Sequence, residues 1–153
     1  MTEKVDKNGF TIFEILIVIG ILGLIVALSS VALQSMYQDT GLKTSTNEIY
    51  RAFTDARNRT LASEGDTVYG VIVGTSSVTR FVGNTYNAGA TTNRAFVFVA
   101  GVTATGSLVS NVTPITFTRL SGQPSSTGTI EIRNSTGSAT NTLYIHMSGL
   151  VEY

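Results

Sequence analysis

Gly9-Phe10-Thr11-Ile12-Phe13-Glu14-Ile15-Leu16-Ile17-Val18-Ile19 opens a run in which Glu14 is the only charge between Lys7 and Asp39. No residue from Ile15 to Leu33 is charged. A helix over that span rises roughly 28 Å, about one hydrocarbon thickness of a bilayer. Moving an acidic side chain to mid-bilayer costs roughly 2.5–3.5 kcal/mol on insertion scales, so intramembrane acids are usually paired and functional. Glu14 is therefore the first candidate residue. In the first turn of a helix the dipole alone favours an anion, and a carboxylate can also snorkel to the headgroups.

Outward from this run, Met1–Gly9 is polar, with Lys4 and Lys7 set against Glu3 and Asp6. Lysines ahead of the apolar run favour a cytoplasmic N-terminus, with everything after Asp39 on the far side of the membrane. Within the run, Gly20, Gly23, Ala27 and Ser30 recur at spacings of three, four and three, which places them on one helix face. In lipid, such a small-residue face lets a second helix approach closely. A secretory signal peptide cut after Ala27-Leu28-Ser29 is the competing reading. Against it, Glu14 abuts the apolar core and the helical periodicity continues past that point.

The run Gly9–Ile19 resembles the leader and N-terminus of type IV pilins and type II secretion pseudopilins. That resemblance implies cleavage between Gly9 and Phe10 by a prepilin peptidase and N-methylation of Phe10. It also implies pairing of Glu14 with the N-terminal amine of a neighbouring subunit during assembly. The membrane helix has no proline, which tilts the comparison towards a minor pilin or pseudopilin. The implied partners are other pilin or pseudopilin subunits, the prepilin peptidase, a membrane assembly platform and the lipid bilayer. The implied location is a single-pass inner-membrane protein with an extracytoplasmic C-terminal domain, and a filament after assembly.

The expected organisation is a leader at 1–9, a transmembrane and filament-core helix at 10–34, an amphipathic upper helix at 35–64, and a β-rich domain at 65–153. In the upper helix, Leu42, Ile49, Phe53 and Ala56 form an apolar stripe with Ala52 beside it. Charged residues fall mostly on the other faces, with Glu48–Arg51 and Asp55–Arg59 at ion-pair spacing. Gly41 weakens the middle, so a local break is expected there. Gly65 is the expected stop. A continuous helix from Phe10 to about Ser63 would be roughly 80 Å long.

From Thr67 the pattern turns to period two. Strands are expected at Thr67–Val73, Val78–Val82, Arg94–Ala100, Ile115–Arg119, Thr129–Arg133, Thr142–Met147 and Leu150–Tyr153, with a tight turn at Ser148-Gly149. The fold class is α+β: a long N-terminal helix packed on an antiparallel sheet domain. The last third is similar to H-type minor pseudopilins and FimT-like pilins, which implies the pilin fold.

Chemistry-bearing residues are sparse. Charged residues are 13% of the 153-residue chain, formal net charge is zero and cysteine is absent, which excludes disulfides and thiolate chemistry. His146 stands alone, on the outer face of a strand. The Asn134–Asn141 stretch offers oxygens but no carboxylate. No catalytic set, metal cluster or cofactor motif is expected, so the chain reads as non-enzymatic. Some FimT-like pilins bind DNA for uptake, which makes Arg80, Arg94, Arg119 and Arg133 relevant, the only basic residues after Thr67 apart from His146. Strong binding needs several phosphates neutralised together. These four are scattered in sequence, so nucleic acid is not the expected partner.

Overall fold

The structure, a computed structural model, describes residues 9–108 and 114–153, with the backbone alone at 30–35 and 108. Residues 1–8, within the expected leader at 1–9, and the Ser30 side chain lie outside the described residues. The architecture is α+β. The chain divides into two compact units, the first ending at Tyr37 and the second running Gln38–Tyr153.

One helix, α1, runs Ile12–Leu61. In the second unit its stripe is buried as expected: Leu42 is 4% exposed, and Ile49, Phe53 and Ala56 have no exposed surface. The expected break at Gly41 does not occur. Gly41 is buried, and a Cβ placed on it would stand 3.0 Å from Cγ1 of Val99. The glycine is there for close approach of the 98–101 segment, and its weak helix propensity is overridden by that packing. After Leu61 the chain leaves the helix through left-handed Ser63, followed by a 3-10 turn at Glu64–Asp66.

Among the described residues two four-stranded sheets follow, wholly antiparallel. The first has β3 (Arg94–Val97), β2 (Ser77–Val82), β1 (Tyr69–Val73) and β5 (Ile115–Thr116) in that order. The second has β4 (Val102–Leu108), β6 (Gly128–Asn134), β7 (Thr140–Ile145) and β8 (Val151–Glu152). Val71, Val78 and Ile115 from the first sheet join Ile130, Ile132, Leu143 and Ile145 from the second, and the helix stripe, in one core cluster. Phe53 meets Phe117 edge to face at 6.3 Å between centroids.

The helix is also tied to the sheets by buried hydroxyls, which hydrophobic periodicity does not register. The Thr60 hydroxyl donates to the Ala56 carbonyl at 2.8 Å and accepts the Tyr69 N–H at 2.9 Å. Thr46 donates to the Leu42 carbonyl at 2.8 Å and accepts from the Asn141 amide at 3.0 Å. Ser45 accepts the Val99 N–H at 3.3 Å. Each satisfies a polar group that burial would otherwise penalise.

Strand edges differ from expectation. β4 was not expected, because Val-Thr-Ala-Thr-Gly-Ser-Leu carries few large apolar side chains. It is recruited by pairing with the whole length of β6, Val102 opposite Asn134 through Leu108 opposite Gly128. The Arg94–Ala100 strand stops at Val97. The Ile115–Arg119 strand stops at Thr116, with one further bridge from Phe117 to Pro124. Met147 does not continue the inward row of Leu143 and Ile145. It is 73% exposed, because the chain has already turned: the His146 N–H donates to the Leu150 carbonyl and the Gly149 N–H to the His146 carbonyl, both at 2.9 Å. Gly149 takes φ +79° there, a value that favours glycine.

Gly70 in β1 sits directly opposite Phe81. A Cβ at Gly70 would overlap the Phe81 ring and stand 2.8 Å from the Ile115 carbonyl oxygen. Gly70→Ala should lower stability by about 2–3 kcal/mol, the upper range for overpacking. The urea midpoint of the full chain in detergent micelles checks this.

Candidate functional site

The amino-terminal candidates lie in the first unit. Thr11 caps α1: its hydroxyl accepts the Glu14 N–H at 3.2 Å, and its carbonyl accepts the Ile15 N–H at 3.3 Å. Thr11-Ile12-Phe13-Glu14 thus has capping-box spacing, a signal legible in the sequence beside the membrane pattern. Glu14 stands in the first turn, and no ion pair joins it to a described residue. Gly9 and Phe10 are exposed, Phe10 at 77%. Ile12–Ser29, 18 residues, is long and apolar enough to cross a membrane, and none of its residues is buried. Gly20 and Gly23 open on empty space. Ser29 donates to the Ile25 carbonyl at 2.7 Å, so its hydroxyl is satisfied within the helix.

The four arginines of the β-rich region do not form one basic surface. Arg119 pairs with Asp66. Arg133 pairs with Glu131 at 2.6 Å. Arg80 and Arg94 are brought together, directly opposite each other on β2 and β3, and so on one sheet face. That face is turned to α1. The Arg80 Nε donates to Asp55 at 3.1 Å, and its guanidinium lies 5.4 Å from the Tyr69 ring centroid.

Asp55 is shared. Its other oxygen accepts from the Arg59 Nε at 2.8 Å. Arg59 also approaches Tyr69, at 5.9 Å from the ring centroid. The Asp55 hydrogen bond is the main influence holding the Arg59 guanidinium above its ordinary range. Burial opposes it, and the charges of Asp55 and Glu64 reinforce it. Between α1 and the edge strand β3 lies a cleft of about 370 Å³, walled by Glu48, Arg51, Asp55, Arg80 and Arg94. Its apolar lining is Ala52, Val78, Ala95 and Phe96. Arg51 comes from the helix and meets Glu48 at 3.5 Å. Sequence reasoning weighed Arg80 and Arg94 as nucleic-acid contacts and missed their pairing across a hairpin, because an eleven-residue loop, Gly83–Asn93, separates the expected strands and leaves their register unspecified.

His146 is exposed and stands 3.5 Å from Glu152, also exposed. The oxygens of the Asn134–Asn141 hairpin are partly used internally: Asn134 donates to Ser138 at 3.0 Å and accepts the Ala139 N–H at 3.2 Å. Among the described residues no group of three potential ligands could hold a metal ion. At the far end of α1, Arg57 donates to the Gly122 carbonyl at 3.3 Å and the Ser148 carbonyl at 3.2 Å, clipping two loops to the helix.

No family model, no curated protein and no solved structure matches this chain.

Arg80 is 11% exposed and depends on Asp55. Asp55→Asn should cost about 1.5–3 kcal/mol, the worth of hydrogen bonds to a charged group that is mostly out of water. Glu131→Gln, which breaks an exposed pair, should stay within about 0.5 kcal/mol. Parallel urea titrations of the two variants check the contrast.

Proposed function

We propose that this chain is a non-enzymatic filament subunit of the type IV pilin and type II secretion pseudopilin class, nearest in kind to an H-type minor pseudopilin. The observation that carries the proposal is Glu14: one carboxylate, four residues after Phe10, in the first turn of an 18-residue apolar span whose residues are all exposed.

The chemistry follows from that placement. Cleavage between Gly9 and Phe10 would leave a cationic amine on Phe10 at the edge of the apolar phase. Two opposite charges attract strongly where water is scarce. The same-chain distance of four residues lets the amine and Glu14 meet within one helix. In a filament the amine of an adjacent subunit takes that position. Membrane insertion then holds the subunit until an assembly platform extracts it, and the Gly20, Gly23, Ala27 and Ser30 face offers a close seat for neighbouring helices. On this reading the chain is a single-pass inner-membrane protein, N-terminus inside, with its β-rich unit extracytoplasmic.

A helix stripe seated on antiparallel sheets suits the pilin fold, which a DNA-binding minor pilin would share. One observation favours a structural subunit over a DNA-binding one. Arg80, Arg119 and Arg133 are each engaged by a carboxylate, so most of the basic charge after Thr67 is already neutralised.

Gly9→Val should block maturation. In the unaltered protein, mass spectrometry should find N-methylated Phe10 as the first residue; a mature terminus at Ser30 would refute the assignment. Glu14→Ala should still be processed and inserted, with incorporation into filaments falling roughly tenfold or more, as when a desolvated ion pair loses one partner. Normal incorporation of that variant would remove the role given to Glu14.

A further inference from the structure

The cleft between α1 and β3 has features that internal packing does not account for. Arg80 and Arg94 face each other across β2 and β3, and like charges so placed repel. Arg94 is exposed and no carboxylate of the described residues pairs with it. Arg80 Nε is used by Asp55, while its Nη1 is buried with no partner. Arg51 is 74% exposed and holds Glu48 only at 3.5 Å.

We propose that this cleft is a binding site for a small-molecule carboxylate carried on an apolar stem, such as an aryl-acetate. Three guanidiniums, of Arg51, Arg80 and Arg94, stand against two carboxylates, of Glu48 and Asp55. One net positive charge remains, which matches a monoanion rather than a dianion. Guanidinium groups engage carboxylates through two parallel hydrogen bonds, and Arg94 and Arg51 have donors free to do so. The floor of Phe96, Val78 and Ala52 receives the stem. A bound carboxylate also relieves the repulsion between Arg80 and Arg94. None of this requires filament assembly, so the site stands or falls apart from the function proposed above.

The test is a titration of the ¹⁵N-labelled full chain in detergent micelles with phenylacetate, its neutral analogue phenylacetamide, and inorganic phosphate. Phenylacetate should shift the amides of Arg80 and Arg94–Phe96 saturably, with a dissociation constant on the order of millimolar, as a ten-atom ligand permits. Phenylacetamide should bind at least about tenfold more weakly, the loss expected for charge-assisted hydrogen bonds. Arg94→Gln, an exposed edge-strand change, should weaken phenylacetate by about tenfold without altering the rest of the spectrum. Arg51→Gln provides a second, independent loss from the helix side. Absence of saturable shifts, equal binding of acid and amide, or unchanged affinity in both variants would overturn the site. Tighter binding of phosphate than of phenylacetate would overturn the carboxylate assignment.

Discussion

Ile49, Phe53 and Ala56 have no exposed surface, and the globular unit depends on their burial. Each sheet has four strands, some of only two residues. Neither could bury an apolar face alone. The helix stripe supplies the shared wall, and residues of both sheets meet it in one cluster. Fully burying a side chain of this size contributes about 1.5–3 kcal/mol. The hydroxyls of Ser45, Thr46 and Thr60 then fix how the helix lies on the sheets, since each is both buried and bonded to a backbone or side-chain group. Apolar contact is non-directional; these hydrogen bonds are not.

The same helix obeys another rule in its first unit. Around Ile12–Ser29 apolar residues lie on every face, with no stripe and no buried side chain. Such a helix needs an apolar surround. Within it Glu14 is the residue that composition does not explain. The Thr11 cap satisfies the Glu14 N–H, so the backbone of the first turn is settled locally while the carboxylate remains available.

Legibility in the sequence followed the strength of the periodic signal. The stripe at Leu42, Ile49, Phe53 and Ala56 repeats at helical spacing, and the alternation in Thr-Ile-Glu-Ile-Arg and Leu-Tyr-Ile marks β6 and β7. β4 gave no such signal: its strand identity comes from the partner β6 rather than from its own residues, as small polar side chains are recruited by a neighbour's hydrogen bonds. Gly41 misled for a related reason. Propensity treats a glycine as a weak point, whereas a tertiary contact with Val99 makes the missing Cβ an advantage. Of the candidate functional residues, Gly9, Phe10 and Glu14 are recognisable from local order alone. The arginine cleft is not, because it joins residues 51, 80 and 94, whose proximity is set by a hairpin register and a helix–sheet contact.

That cleft lies beside the helix stripe, lined by Glu48, Arg51, Ala52 and Asp55 of α1. Val78 is buried beneath α1, but β3 is an edge strand with its residues largely exposed. An edge left apolar invites pairing with other chains, and charged side chains on it discourage that. Arg94 serves this end, yet a lone charge on the edge would suffice. Placing it opposite Arg80, whose guanidinium is largely desolvated and held by Asp55 and Tyr69, concentrates cationic charge at this edge. Arg80 is thus accounted for by its partners in the core, and Arg94, exposed and opposite it, is the cation that an anion entering the cleft would meet first.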